Sequence, residues 1–177
     1  RTSCPRSRFL VVAPEPKEAP TAGEAGPGQK PQHVETIECA KQATSDVFCE
    51  TGGSRVVKSD LGAYREAGEY PDARIAYRFR LTETGAPHVA VVSYPADRAR
   101  SVEIIMTSRR HPGSYDVATG YFVDQADAAT PRMVDLPIYF WPREGENAII
   151  LRTLQGGQPA ACARVTIRRL PARLPAA

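Results

Sequence analysis

Residues 74–81 read "RIAYRFRL", and the fold class turns on them. Ile75, Tyr77, Phe79 and Leu81 fall on one side of a two-residue period, and Arg74, Arg78 and Arg80 on the other. Side chains alternate across a strand, so this pattern describes a strand with one face in a core and one in water.

The same reading extends in both directions. "HVAVVSY" (88–94) is apolar on both faces, as a central strand requires. "SVEIIM" (101–106) sets Val102, Ile104 and Met106 against Glu103 and Ile105. "MVDLPIYFW" (133–141) turns Val134, Leu136, Ile138 and Phe140 one way and Met133, Asp135, Tyr139 and Trp141 the other. "NAIILRT" (147–153) and "ACARVTIRRL" (161–170) follow, the latter with Val165 and Ile167 inward and Arg164 and Arg168 outward. "SYDVATGYFV" (114–123) and "SRVVKSDLGAYRE" (54–66) each supply one more expected strand. A single short helix is expected around 38–45. About eight strands joined by Gly, Pro and Asp turns, without βαβ spacing, indicate an all-β antiparallel protein. Two sheets packed face to face, as a β-sandwich or jelly roll, close such a set.

Composition narrows the function. The chain has 177 residues, 42% hydrophobic and 24% charged, which is one ordinary globular domain with a full core. Its net charge of +3 is too small to indicate nucleic acid, and arginine supplies most of the positive charge. No stretch approaches the ~20 apolar residues of a membrane helix, so membrane insertion is not expected. The sequence opens on Arg, and "FLVVA" (9–13) is too short for a signal-peptide core. It reads as an excerpt of a longer precursor, with any export signal outside it. Residues 14–32, rich in Pro, Gly, Ala and Glu, cannot bury enough surface to offset their ordering entropy. The expected organisation is an extended or disordered segment at 1–32, a sandwich at 33–173 and a tail at 174–177.

Cysteines stand at 4, 39, 49 and 162. A Cys39–Cys49 bridge would close a loop of about ten residues and contribute somewhat under ~3 kcal/mol. That bridge is the favoured reading, with two free buried thiols as the alternative and Cys162 as a strand residue. Zinc-site spacing is absent.

Catalytic apparatus is thin. His33, His88 and His111 fall in a linker, a strand start and a turn. There is no HExxH, no P-loop, no nucleophile elbow and no GxGxxG between a strand and a helix. Asp97, Glu103, Asp116, Asp124 and Asp127 leave room for a hydrolase built on a carboxylate pair, yet each suits a turn or a solvated face. Asp124, Gln125 and Asp127 could give part of the oxygen set of a structural Ca²⁺ site. The chain is read as non-catalytic and without a required cofactor.

Aromatic residues carry the binding candidates. Tyr139 and Trp141 share a strand face, with Tyr121 near in sequence order. Sugar rings present apolar C–H patches that stack on exposed aromatics. For Trp141, however, burial beneath the second sheet or a loop is the favoured expectation. "LGAYREAG" (61–68) offers Tyr64, Arg65 and Glu66 as a mixed polar edge. In "YPADRAR" (94–100), Pro95 is expected to end a strand at Tyr94 and Ala96-Asp97 to form a hairpin turn. The doubled arginine, Arg98 and Arg100, has no role in that turn. If glycan is bound, the candidate set is Tyr64, Arg65, Tyr121 and Trp141, with Asp97 and Arg98 as polar partners.

The stretch "WPREGENAIILRTLQGGQPAACARVTIRRL" (141–170) resembles the last two strands of galactose-binding-like jelly rolls. The resemblance rests on Gly145, Asn147, Ile149, Leu151, Gly156, Gly157, Val165 and Ile167, and it spans residues 54–170. "YREAG", "YRFRL" and "HVAVVSYPADRAR" together resemble modules of large secreted bacterial proteins, including glycosyl-hydrolase-like ones. The resemblance implies a non-catalytic accessory module, secreted, periplasmic or in the cell envelope. Such a module would bind carbohydrate through loops at one rim or brace a neighbouring domain of the same polypeptide. A structural or protein-interaction sandwich without ligand is the alternative, and an Asp-pair glycoside hydrolase a further one.

Overall fold

The computed structural model describes residues 30–43, 46–108, 117–124, 130–142, 145–154 and 158–171, with backbone only for Ser108 and 117–124. The described strands are β1 (Gln32–Glu38), β2 (Phe48–Thr51), β3 (Ser54–Ser59), β4 (Gly62–Ala67), β5 (Arg74–Leu81) and β6 (His88–Ala96). Then follow β7 (Ser101–Ser108), β8 (Val117–Asp124), β9 (Arg132–Phe140), β10 (Gly145–Thr153), β11 (Ala161–Cys162) and β12 (Arg164–Arg169). They form a four-stranded sheet β1-β12-β6-β9, a five-stranded sheet β2-β5-β10-β7-β8 and a small sheet β11-β4-β3. Every strand pair within these sheets is antiparallel.

The two larger sheets face each other across one core. Ile37, Ala90, Val92, Ile138, Val165 and Ile167 come from the first sheet; Ile75, Tyr77, Phe79, Ile104, Ile149 and Leu151 come from the second. Phe79 meets Phe140 edge-on at 6.2 Å, tying β5 to β9 across the gap. Such a pair contributes ~0.5–1.5 kcal/mol beyond its buried area. The alternation of "RIAYRFRL" is realised residue by residue: Ile75, Tyr77, Phe79 and Leu81 are all in the core. β6 lies between β12 and β9, the central place its two-sided apolarity required.

Local expectations differ from the structure at four places. The helix around 38–45 is a single 3-10 turn, Cys39–Lys41. The strand at 54–66 is a hairpin, β3 and β4, turned at Asp60-Leu61. There the Leu61 N–H donates to Ser59 Oγ at 3.2 Å, and Gly62 takes φ 103°, a conformation open mainly to glycine. Residues 94–101 are not a hairpin either: β6 runs on to Ala96, with Pro95 opposite Met133, and the chain then crosses to the other sheet. The Cys39–Cys49 bridge is not formed. Cys49 follows inward-facing Phe48 and so turns outward, against Ala76, Ile105 and Ile150, while Cys39 lies in the core against Cys162.

The turn that opens β10 matches the resemblance motif. Gly145 has φ 93°, and the buried Asn147 amide donates to the Gly145 carbonyl at 3.1 Å. Gly156 and Gly157 lie outside the described residues.

Candidate functional site

The crossover after β6 carries a buried ionic cluster. Arg100 is the largest fully buried side chain, and Glu66 on β4 is equally enclosed. Glu66 Oε1 accepts from Arg100 Nη1 at 2.9 Å and from Arg98 Nη2; Oε2 accepts from Arg55 Nε at 2.9 Å. Asp97 Oδ1 accepts from Arg100 Nε at 2.9 Å, and Oδ2 accepts from Arg100 Nη2 at 3.1 Å and from the Tyr64 hydroxyl at 2.9 Å. Arg100 Nη1 also donates to the Pro159 carbonyl. A guanidinium placed this deep keeps its charge only where acceptors replace the lost water, and here two carboxylates and a carbonyl do so. Burial, and then the bond to Asp97, push the Tyr64 hydroxyl pKa up.

This cluster gathers Tyr64, Asp97 and Arg98 from the predicted set, with Tyr64 buried and Asp97 and Arg98 partly exposed. Tyr64 is 2% exposed, so it presents no stacking face. Arg65 points to the other side of β4. Its Nε donates to the Cys39 carbonyl at 3.2 Å, its Nη1 to Ser54 Oγ at 3.0 Å and its Nη2 to the Gln42 carbonyl, while its guanidinium lies 4.4 Å over the Phe48 ring. These are fastening roles. Above the cluster, Gly52, Gly53, Arg55, Gly68, Glu69 and Tyr70 line an open depression of about 550 Å³. Arg55 reaches it with its guanidinium between Glu66 and Glu69, and Glu66 raises its pKa above the ordinary value.

Trp141 stands apart. It follows β9 directly and is 54% exposed, contrary to the expected burial, and Tyr139 on β9 is 59% exposed. The cause is topological: β9 is an edge strand, and its inward residues are Ile138 with Leu136 and Phe140 beside it. Odd-numbered positions therefore face out from the sandwich. Tyr139 is registered beside Val89 on β6, which is beside Arg168 on β12, which is beside His33 on β1. Two rows along, past Pro137 and Val91, Asp135 accepts a hydrogen bond from Ser93 Oγ. The outer face of the four-stranded sheet thus carries Tyr139 at one edge, with Trp141 just beyond β9, Arg168 and His33 farther along the same cross-strand row and Asp135 two rows away. Tyr139 was legible in the alternation, but only the structure shows that it and Trp141, just past β9, both reach water.

Of the carboxylates considered for hydrolysis, Asp97 is held by Arg100 and Tyr64, and Glu103 is paired with Arg152. The Tyr121 side chain, Asp116, Gln125, Asp127, His111 and the Asp124 carboxylate lie outside the described residues. Among the described residues no His/Cys/Asp/Glu cluster is arranged to hold a metal ion. No described helix is long and apolar enough to cross a membrane.

The sequence matches no protein-family model, and no curated protein matches it. Solved structures do match. A GH26-CBM35 β-(1,4)-mannanase from Podospora anserina aligns with 81% of this chain and 29% of its own, at 14% identity and a TM-score of 0.56. An exo-β-1,3-galactanase from Phanerochaete chrysosporium, solved with galactose, aligns with 77% of this chain and 29% of its own, at 15% identity and a TM-score of 0.52. A CBM35 from Paenibacillus barcinonensis aligns with 76% of this chain and 98% of its own, at 15% identity and a TM-score of 0.46. The chain therefore spans less than a third of the length of the two enzymes. The likeness to the first two is one of fold, and it agrees with the antiparallel, jelly-roll-like β-sandwich seen here.

Proposed function

We propose that this chain is a non-catalytic accessory module of a larger exported, carbohydrate-active protein, and that it takes glycan on the Tyr139–Trp141 face. The observation that carries the reading is the exposure of two aromatic rings two residues apart, Tyr139 on the outer face of β9 and Trp141 just past its end. Burying a ring stabilises a fold by ~1.5–3 kcal/mol, so leaving two in water forgoes a gain that binding recovers. Sugar C–H faces suit the rings, and hydroxyl groups suit Arg168 and His33 farther along the same cross-strand row. The fold likeness to two glycan-degrading enzymes supports the substrate class.

Trp141 is the sole tryptophan, so its fluorescence reports directly on the face. Titration with soluble β-1,4-mannan and β-1,3-galactan should quench or shift its emission. Affinity electrophoresis of Tyr139→Ala and Trp141→Ala should then show retardation by the same polymer lost, with each variant's melting temperature unchanged. Emission unaltered across these and a broad polysaccharide panel would sink the glycan reading. The face would then be assigned to bracing a neighbouring domain.

A further inference from the structure

The core holds a pair of sulfur atoms that the glycan reading does not use. Cys39, in the 3-10 turn after β1, and Cys162, in β11, are both 0% exposed, and their Sγ atoms are 3.1 Å apart. That is closer than two sulfurs approach in ordinary non-bonded contact, and about 1 Å longer than the ~2.05 Å disulfide bond. The backbone already fixes the approach. The Cys39 N–H donates to the Ala163 carbonyl at 3.0 Å, and the adjacent residues Glu38 and Arg164 are register partners in the β1–β12 ladder. Both cysteines belong to the same buried core as Ile37, Tyr77 and Val165, so neither thiol faces water.

We propose that Cys39 and Cys162 are joined by a disulfide when the protein folds in an oxidising compartment, rather than Cys39 and Cys49. Each thiol loses a proton and together they lose two electrons as the S–S bond forms. An external disulfide, such as oxidised glutathione or the active-site disulfide of a thiol oxidoreductase, takes up both and is cleaved to two thiols. Exchange takes place before the sheets close, because the folded core excludes the oxidant. Burial and the neighbouring thiol also push the Cys162 pKa well up, which suppresses the reactive thiolate in the folded chain. The bond would link segments 123 positions apart in sequence, among the longest loops this chain can close.

The test is a mass measurement. The Cys4→Ser/Cys49→Ser chain is refolded in a glutathione redox buffer, then unfolded in guanidinium with iodoacetamide and no reductant. The expected product is about 2 Da lighter than the dithiol, unalkylated, and yields one linked peptide pair containing Cys39 and Cys162. Its melting temperature should lie roughly 10 °C above that of the reduced sample. Peptide mapping of the unsubstituted chain, oxidised in the same way, should give the same linkage. Two alkylated thiols in the first sample, or a Cys39–Cys49 or Cys4–Cys39 link in the second, would overturn the proposal.

Discussion

Removing one charge from the crossover cluster should cost this fold more than any change on its surface. Consider Glu66→Gln. The side chain is 0% exposed and accepts from three arginines, of which Arg100 is 1%, Arg98 36% and Arg55 59% exposed at the side chain. Glutamine preserves the volume but lacks the charge, and its amide nitrogen turns a donor toward a donor. Arg98 and Arg55 can swing toward water. Arg100 cannot, and it keeps only Asp97 and the Pro159 carbonyl. Leaving a buried charge short of its partner costs ~3–5 kcal/mol. At ~2–4 °C per kcal/mol for a chain of this size, the melting temperature should fall by roughly 10–15 °C. Arg55→Ala serves as the contrast: the same carboxylate loses an exposed partner, and the cost should stay under ~1 kcal/mol. Urea unfolding of both variants beside the parent, with equal m-values, gives the comparison. A Glu66→Gln cost below ~1 kcal/mol, or one no larger than that of Arg55→Ala, would refute the claim that the cluster bears on stability through Arg100.

Two further outcomes follow from the same geometry. At Gly68, an added Cβ would meet the Gly52 carbonyl oxygen at 2.1 Å, and the Gly68 N–H is bonded to the Gly53 carbonyl at 2.9 Å. Gly68→Ala must therefore push two backbones apart, at a cost of ~1–3 kcal/mol, and hydrogen exchange at the Gly68 amide should accelerate; an unchanged exchange rate would count against it. His88 is buried, and its Nδ1–H donates to the Ala86 carbonyl at 2.9 Å. Desolvation lowers its pKa in the folded state. The unfolded chain then binds the proton first, so stability should be flat above about pH 7 and fall as the pH drops through the unperturbed value near 6.5. His88→Phe should flatten that slope in urea midpoints taken from pH 5.5 to 7.5, and an identical slope in the variant would exclude His88 as its source.

The sandwich was legible because a two-residue period is a local property: Ile75, Tyr77, Phe79 and Leu81 show their burial without reference to any partner. Pairing is not local. "HVAVVSYPADRARSVEIIM" contains two strands and a turn-like interval, which is the signature of a hairpin, yet β6 and β7 belong to different sheets. Pro95 was misread for the same reason, since whether a missing N–H ends a strand depends on what lies opposite it. Arg100 stood out in the doubled arginine but without a role, because an arginine next to a strand start reads as surface until Glu66 and Asp97 are brought around it. Trp141 reversed in the opposite sense, because it lies just past the end of β9, where alternation no longer says whether a ring meets water or another layer. At 54–66 the misreading was one of turn chemistry, since the Asp60-Leu61-Gly62 corner marks the hairpin that alternation alone ran through.

The pairing of β1 with β12 has a consequence for how the molecule is made. Among the described residues β1 pairs with β12 alone, so residues 32–38 meet that partner only once residues 164–169 exist. At ~5–20 residues per second, a growing chain would hold that first strand unpaired for on the order of 10 s. During that interval its N–H and C=O groups and the Cys39 thiol stand open to solvent, to chaperones and to oxidants alike. Closure is then a single late event joining the two ends of the domain, and contacts of such long sequence separation form slowly. Translation speed and the protection of one short strand would thus set the yield of folded protein, independently of how stable the finished sandwich is.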